Sequence, residues 1–406
     1  MSTPGPTSRD LAALLAARAG PEYRCPGESY AINRAVHLAR LASGYEACRL
    51  CVHRHDDPRR DSAPSDSIPF DAVQLESSRP GPQVVGAGLR GRYLNDLTRA
   101  EITLWAARIA ARLQVESPGR PPLVLIAHDS RPSSPDLYAG LAPGLRRTGC
   151  HVLDLGLVPQ PVAWFALSRH RAQAVVYLTG AGCDAAWNGL DVTTPGPLPW
   201  TGSRGWPDLT GLATRTASQP EPTTMPEGSA PAGDLTPLRQ ESAQYLAALA
   251  DLFHGLRPLK FVLGIPSVPQ RRLAETLLAT RAVRVDWLDC GPRPIDFENA
   301  GDLDVVRLQD AVRSHAADFG LFVHEDGFRV SLFTAEGTPV EPRQLARFLG
   351  GQPLDAPAGH HAILFDHPYP DPEFAPITTA CDGLLTLARL LLTLSESDAP
   401  LAQRLA

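Results

Sequence analysis

Cysteine and histidine residues near the start of the chain have the types and the spacing that a metal ion needs. Cys48 and Cys51 form a Cys-x-x-Cys pair, and Cys25 lies upstream of them. A structural zinc ion takes four nitrogen or sulfur ligands in a tetrahedron, and His37 is the first choice for the fourth ligand. The sequence therefore predicts a zinc module held by three cysteines and one histidine.

Other interpretations of this segment stay open. The alternatives for the fourth ligand are His53 and His55. An iron–sulfur cluster is the alternative to zinc, because three cysteines and one histidine can also hold a cluster. The remaining alternative is a set of unrelated thiols beside a polar histidine cluster. Metal binding is favoured, since a module of about forty residues with few large apolar side chains needs a staple to fold.

The elements that would position functional groups are clearest after residue 84. Amphipathic helices alternate there with short apolar strands, such as the strand predicted over residues 122–127 (PLVLIA). This alternation, with short loops, indicates a parallel-rich α/β sheet, and it occurs twice in tandem. The predicted organisation is a Cys/His module over residues 1–60 with a helix at 29–42, a linker over 61–83, a first α/β domain over 84–235 that ends in an irregular loop (195–235), a second α/β domain over 236–340, and a shortened third domain over 341–406.

One loop of the first α/β domain carries a recognisable pattern. Residues 179–191 read TGAGCDAAWNGLD. They resemble the phosphoserine loop of the α-D-phosphohexomutases (phosphoglucomutase and phosphomannomutase), whose pattern is T-A-S-H-N-P-x-x-Y-N-G-L-K. Thr179 and residues 188–190 match, and Trp187 takes the place of the aromatic residue. Ala181 falls at the position of the phosphorylated serine. Because alanine has no oxygen to phosphorylate, the resemblance implies the family scaffold without its nucleophile.

Three further segments resemble the family in the same order along the chain. Residues 86–91 (GAGLRG) resemble the opening G-T-x-G-I/L-R-G, residues 128–134 (HDSRPSS) resemble G-R-D-T-R-P-S-S, and residues 153–161 (LDLGLVPQP) resemble the D-x-G-x-x-P-T-P turn. The resemblance covers roughly residues 84–337. It implies tandem phosphohexomutase-type domains with parallel-rich mixed sheets.

The metal loop of the family has a degenerate counterpart in residues 317–329 (ADFGLFVHEDGFR). The family pattern A-D-L-G-I-A-F-D-G-D-A-D-R supplies three aspartates, which suit Mg²⁺ because this ion prefers oxygen ligands. His324 stands at the first aspartate and Phe328 at the third, so that only Asp326 and the trailing Arg329 are kept. Glu325 could supply an oxygen, but it stands at the glycine of the family. A Mg²⁺ site is therefore not expected.

Later parts of the family pattern are reduced as well. The sugar-selecting loop G-E-E-S-G-H corresponds to residues 355–360 (DAPAGH), which lack both glutamates. The fourth domain, which grips the substrate phosphate, is expected to be absent because the chain stops at Ala406. Phosphoryl transfer depends on positioning and on charge stabilisation by metal and cations. The resemblance thus implies that mutase activity has been lost.

Some cations of the cleft remain at motif positions, namely Arg90, Arg131 and Arg329. Arginine is suited to bidentate contacts with phosphate, so these residues could form a residual phosphosugar site. The alternative, which we favour, is that they form ion pairs of the scaffold with Asp129, Asp326 or other carboxylates.

The leading hypothesis for function is a degenerate phosphohexomutase homologue of carbohydrate metabolism, acting as a phosphosugar-binding or regulatory scaffold protein. A phosphosugar or a full-length mutase would be its partner. The alternative is an active phosphomannomutase/phosphoglucomutase-type intramolecular phosphotransferase with a displaced nucleophile, Asp184 or Cys183. A third hypothesis is that the Cys/His module is a metal-dependent interaction module and that the mutase-like domains are only its scaffold.

Composition excludes other classes of function. The 406 residues are 43% hydrophobic and 20% charged, as in a globular protein. The net charge is −6 without a long basic run, so nucleic acid is not an expected partner. No apolar run approaches the roughly 20 residues of a membrane span. The first residues do not resemble a signal peptide, so a cytoplasmic location is expected.

Overall fold

The computed structural model describes residues 23–27, 29, 31–32, 36–37, 40, 47, 50–53, 81–86, 88–196, 198–206, 209, 232–295, 301–355, 361–369, 377 and 379–405. The chain forms two compact units, Met1–Ser78 and Arg79–Ala406. In the part of the chain that is described, no helix combines the length and the apolar character that a membrane crossing needs.

The first sheet of the larger unit joins a parallel centre to an antiparallel edge. Its strands are β1 Gln83–Val85, β2 Gly88–Arg92, β3 Leu123–His128, β4 His151–Leu157, β5 Ala174–Leu178, β6 Trp187–Thr194, β7 Leu198–Pro199 and β8 Leu235–Pro237. The order across the sheet is β1-β2-β6-β5-β3-β4-β8, and β7 pairs with β6. Strand β3 is parallel to β4 and β5, whereas β6 is antiparallel to β5 and β2.

Helices cover both faces of this sheet, namely α1 Arg99–Glu116, α2 Ser134–Arg147 and α3 Gln160–Arg169. Alternate residues of β3 lie on opposite faces of the sheet. Val124 packs in a buried cluster with α1 and α2, and Leu125 packs in a second cluster with α3. Burial on both faces explains why the central strands are almost wholly apolar. Helix α1 begins at a capping box in which Thr98 and Glu101 bond each other's backbone amides.

The second sheet repeats the α/β arrangement. Its elements are α4 Glu241–Ala250, a 3₁₀ turn Asp251–Phe253, β9 Lys260–Gly264, α5 Val268–Leu278, β10 Arg284–Leu288, α6 Leu303–Ser314, β11 Phe319–Val323 and β12 Val330–Thr334. The strand order is β10-β9-β11-β12. Strand β9 is parallel to both neighbours, and β12 returns antiparallel to β11.

A third, antiparallel sheet follows with the order β13-β14-β15. Its elements are α7 Pro342–Phe348, β13 Gln352–Asp355, β14 His361–Asp366, β15 Thr379–Cys381, α8 Gly383–Ser395 and α9 Leu401–Leu405. Helix α8 is apolar on nearly every side, and the largest buried cluster combines its leucines with side chains from all three sheets. The larger unit is therefore held together by one shared core.

The smaller unit is described only in part. Tyr23 and Ile32 pair through an antiparallel bridge and pack with Cys25 and Ala47 in a small apolar cluster. The helix predicted over residues 29–42 is wrong at its start, because Ser29, Ala31 and Ile32 are not helical and Ile32 lies in the bridge to Tyr23. Val36, His37 and Arg40 are helical, and the remaining residues of that range lie outside the described residues.

The fold class predicted from the sequence, α/β with parallel-rich mixed sheets, is confirmed. The strand predicted over residues 122–127 is observed one residue later, as β3 (Leu123–His128). Strand β6 was not predicted, because Asn188 and Gly189 are poor strand formers and its burial lacks a clean alternation. The domain boundaries given above stay predictions.

Asp382 caps the N-terminus of α8 from inside the core. Its Oδ1 accepts hydrogen bonds from the amides of Leu384 (2.7 Å) and Leu385 (3.3 Å), and Tyr245 donates its hydroxyl to Oδ2. Burial raises the pKa of the Asp382 carboxyl to about 6, although these donors oppose the rise. An aspartate of the unfolded chain has a pKa of about 3.9. Between these values the folded state therefore keeps a proton that the unfolded state has lost.

We expect this carboxyl to lower the free energy of unfolding as pH rises from about 4 to about 6, by on the order of 2–3 kcal/mol. Asp382→Asn keeps a good N-cap but removes the titration. The variant should therefore gain stability relative to the natural protein across this range. Urea unfolding at both pH values measures the difference, with Asp398→Asn, at an exposed side chain, as the control. Parallel pH profiles for the natural protein and Asp382→Asn would contradict the assignment.

Candidate functional site

Three loops meet where parallel strands end at their carboxyl termini. The β3 loop comprises residues 129–133, the β5 loop residues 179–186, and the β11 loop residues 324–329. The carboxyl ends of strands in open α/β sheets are where ligands usually bind. The segment that resembles the family's phosphoserine loop is the β5 loop, and the segment that resembles its metal loop is the β11 loop. The structure thus brings the two predicted motifs together in one cleft.

Asp129 ties the β3 loop to the β5 loop. It follows β3 directly, and its backbone amide donates to the carbonyl of Leu178 at 3.0 Å. Its Oδ2 accepts the amide of Gly180 at 3.2 Å, and its Oδ1 accepts the amide of Arg131 at 3.0 Å. One buried carboxylate therefore fixes the backbone of both loops.

Asn188 continues the same network from strand β6. It is fully buried, and its Nδ2 donates to the hydroxyls of Ser133 (2.8 Å) and Ser134 (2.9 Å). Ser134 in turn donates its hydroxyl to Asp129. Buried polar groups need such partners, since an unpaired one costs about 1–3 kcal/mol. These motif residues hold the cleft in shape, a role that motif comparison alone did not assign.

Arg131 is the centre of the cleft. Its side chain is 1% exposed, and its guanidinium forms a two-pronged ion pair with Glu325 of the β11 loop, at 2.9 Å (Nε–Oε1) and 2.8 Å (Nη2–Oε2). Its remaining donors bond carbonyl oxygens of the β5 loop and the start of β6: those of Asp184 (2.6 Å), Trp187 (2.9 Å) and Cys183 (2.8 Å). An arginine has five N–H donors, and all five are engaged here.

The pairing of Arg131 with Glu325 was missed at the sequence level. Glu325 was considered only as a replacement metal ligand, and nothing local in the sequence connects positions 131 and 325. Burial raises the pKa of the Glu325 carboxyl above its ordinary value, and Arg131 opposes that rise. A glycine at position 180 lets the guanidinium approach, since a Cβ there would lie 2.6 Å from Arg131 Nη1 and 2.3 Å from the carbonyl of Trp187.

The β5 loop presents no hydroxyl at the nucleophile position. Ala181 is half-buried, and its amide donates to the hydroxyl of Thr179 at 3.0 Å. Of the two replacement nucleophiles suggested above, Cys183 is half-buried and Asp184 is exposed. Burial raises the pKa of the Cys183 thiol, with Arg90 and Arg131 opposing, so the reactive thiolate is disfavoured. Asp184 is the more accessible of the two.

Arg90 is buried on β2 and forms an ion pair with Asp191 of β6 at 2.6 Å. Gln160, at the start of α3, donates to the second oxygen of Asp191 at 3.3 Å. This carboxylate was not among the predicted partners, since strand β6 itself was not predicted. A phosphate that bound Arg90 would have to compete with Asp191.

The β11 loop is organised by its own side chains. Asp326 accepts the amides of Phe328 (2.9 Å) and Arg329 (3.2 Å) at Oδ1, and the Arg329 side chain donates to Oδ2. Burial would raise the pKa of the Asp326 carboxyl, but Arg329 and His324 lower it below its ordinary value. The His324 ring contacts the hydroxyl of Ser331 at 3.1 Å.

Phe328 places an apolar ring at the position where the family pattern has an aspartate. Its ring lies 4.0 Å from the ring of Trp164, and it packs with Ala362 and Cys381 in a small buried cluster. An aromatic side chain supplies no oxygen to a hard cation. The three arginines predicted for phosphosugar binding are all in ion pairs, and their role toward a sugar stays a prediction.

The N-terminal unit buries three of the predicted zinc ligands. Cys25, His37 and Cys51 are buried. The ring of His37 stacks on Tyr23 with centroids 4.1 Å apart, and the ring of His53 lies 5.9 Å from that of His37. Cys48 and His55 lie outside the described residues. Within the residues described, no three candidate side chains converge as a metal site.

Comparison with known proteins points to the family that the loop motifs resemble. Residues 83–203 match the family model of phosphoglucomutase/phosphomannomutase, alpha/beta/alpha domain I. The chain is 26% identical over 269 residues to a phosphoglucosamine mutase of Salinispora tropica. The matched region covers 64% of this chain and 58% of that protein. It is 27% identical over 262 residues to a phosphomannomutase/phosphoglucomutase of Pseudomonas aeruginosa, with 63% and 53% covered. The chain thus spans little more than half the length of these relatives.

Solved structures share the fold. A phosphoglucomutase/phosphomannomutase family protein of Burkholderia thailandensis superposes with a TM-score of 0.60 at 20% identity, covering 79% of this chain and 78% of that one. The Paramecium phosphoglucomutase parafusin superposes with a TM-score of 0.51 at 15% identity, covering 80% and 74%.

Proposed function

Because this chain belongs to the α-D-phosphohexomutase superfamily of carbohydrate metabolism, we propose that it is a non-catalytic member that works as a binding or regulatory scaffold. The observation that carries the proposal is the β5 loop, where Ala181 replaces the oxygen that a phosphoenzyme would need and where the backbone is bonded into place. Covalent phosphoryl transfer requires such an oxygen, together with a cation that offsets the charge of the moving phosphoryl group.

The neighbouring loops support the same proposal. Phe328 contributes hydrocarbon where a hard cation would need an oxygen, and Asp326 is engaged by Arg329 and by two backbone amides. Between the two non-catalytic roles, geometry favours a protein scaffold over a phosphosugar receptor. Each of the three cleft arginines is already in an ion pair, so a sugar phosphate would have to displace a carboxylate from it. A full-length mutase is the partner to test first.

The alternative function is mutase activity with a displaced nucleophile. Asp184 carries this alternative, because it is exposed on the same loop and a carboxylate can be phosphorylated. Cys183 is a weaker choice, since burial holds its thiol in the protonated form.

We expect the purified chain to show no turnover of glucose 1-phosphate or mannose 1-phosphate above the uncatalysed background. The assay contains Mg²⁺ and a hexose bisphosphate activator, and an active mutase serves as the positive control. The same sample is examined for phosphate retained on the protein, which a phosphoenzyme would show. Turnover that disappears in Asp184→Asn but persists in Cys183→Ser would replace our proposal with the displaced-nucleophile alternative.

A graded series of variants checks the reason for the inactivity. Ala181→Ser restores a hydroxyl but leaves the β11 loop unchanged, so we expect it to stay inactive, since the cation ligands are still missing. Phe328→Asp with His324→Asp restores carboxylates but no nucleophile and should be inactive as well. If Ala181→Ser alone gave turnover near that of the control mutase, the β11 loop would be competent and our account of it wrong.

We also propose that the N-terminal unit holds a structural zinc ion through Cys25, Cys48, Cys51 and one histidine, His37 before His53. The proposal rests on the Cys-x-x-Cys spacing and on the burial of Cys25, His37 and Cys51, and an iron–sulfur cluster is its alternative.

Metal analysis of the purified chain should find about one zinc ion per chain. The content should fall in Cys51→Ser and stay unchanged in Cys290→Ser, a cysteine far along the sequence. Replacement of His37 and His53, one at a time, identifies the fourth ligand. A visible absorption band with bound iron would indicate the cluster instead, and a metal-free natural chain would remove both.

A further inference from the structure

The oxygen atoms around Arg131 form a cradle of the kind that binds cations. Three are backbone carbonyls from the β5 loop and the start of β6, of Cys183, Asp184 and Trp187, and two are the carboxylate oxygens of Glu325. All five lie between 2.6 and 2.9 Å from guanidinium nitrogens. A second carboxylate, Asp129, lies 3.6 Å from Nε. Carbonyl and carboxylate oxygens are the ligands that hard metal ions use.

The cradle spans two parts of the fold that the covalent chain connects only over a long distance. The carbonyls belong to the first sheet's β5 loop and β6, and Glu325 belongs to the second sheet's β11 loop. A cation between them is needed, because otherwise Glu325 and Asp129 would be buried near each other without a counter-charge. Burial of like charges without compensation is strongly unfavourable.

We propose that the Arg131 guanidinium is a tethered, non-exchangeable cation that fills this cradle and locks the β5 loop to the β11 loop without a metal ion. The lock goes beyond the proposed non-catalytic role, since it would hold whether or not the cleft binds a sugar or a protein. Arginine fits because its planar fork matches a carboxylate on one edge and still offers donors on the other. A lysine has three donors and could not satisfy five acceptors.

On a Cys51→Ser background, which removes the metal site proposed for the N-terminal unit, the melting temperature should be the same with EDTA and with millimolar MgCl₂, CaCl₂ or MnCl₂, because the cradle is full. A rise of several degrees with any of these ions that EDTA reverses, measured on a Cys51→Ser background to exclude the N-terminal unit, would overturn the proposal.

The decisive variant is Arg131→Ala, which empties the cradle. We expect its melting temperature to fall by at least about 5 °C, since breaking a buried pair leaves an uncompensated carboxylate. Methylguanidinium or a divalent cation should restore part of that loss, because either can enter the vacated cradle. Arg147→Ala, an exposed position on α2, is the matched control and should show neither effect. No loss, or a loss that neither kind of cation restores, would overturn the proposal.

A second variant keeps the test valid if Arg131→Ala does not fold. Glu325→Gln keeps the shape of the side chain but removes its charge, and Glu341→Gln makes the same change at an exposed position. Limited proteolysis should cut the Glu325→Gln protein faster than the control within residues 180–187. Equal cleavage rates would overturn the proposal. Because these measurements read stability and loop opening, they are independent of the turnover assay that tests the proposed function.

Discussion

The burial of one positive charge sets the conditions that the rest of the cleft has to meet. A guanidinium removed from water is stable only if its donors find acceptors and a carboxylate balances its charge. Arg131 meets both requirements by drawing on two sheets, so the two α/β blocks are coupled at their loops as well as through their shared core. Its position also explains Gly180, since any side chain there would collide with the guanidinium. The backbone of the β5 loop is shaped by a cation that belongs to the protein.

The other charges of the cleft follow the same rule. Arg90 is balanced by Asp191 across neighbouring strands, and Arg329 is balanced by Asp326 within one loop. A site that binds an anionic substrate needs cations whose charge is not already neutralised. In the described part of this cleft, each arginine at a family motif position is neutralised by a carboxylate of the protein itself. This charge balance and the alanine at position 181 rest on different residues, and each supports the proposal of a non-catalytic protein.

The sequence predicted the parts of the fold that depend on local patterns. Strand β3, with four consecutive buried residues, could be predicted because burial on both faces demands an unbroken apolar run. The motif alignment likewise placed Ala181 and Phe328 in two loops that the structure brings into one cleft. Partners such as Glu325 for Arg131 could not be predicted, because a sequence separation of 194 positions leaves no local pattern. Strand β6 could not be predicted, because hydrogen bonds to β2, β5 and β7, and not the preferences of its own residues, make it a strand.

Contacts from three helices fix the shape of the β11 loop. Gly327 adopts φ +81°, and a Cβ there would lie 2.6 Å from Gln270 Oε1 and 2.7 Å from Pro161. Its carbonyl accepts Gln270 Nε2 at 3.1 Å and the amide of Gly383 at 2.8 Å. The loop is thus held by α3, α5 and α8, elements that belong to all three parts of the larger unit. Its shape is set by packing, so a ligand that needed another shape would have to disturb the common core.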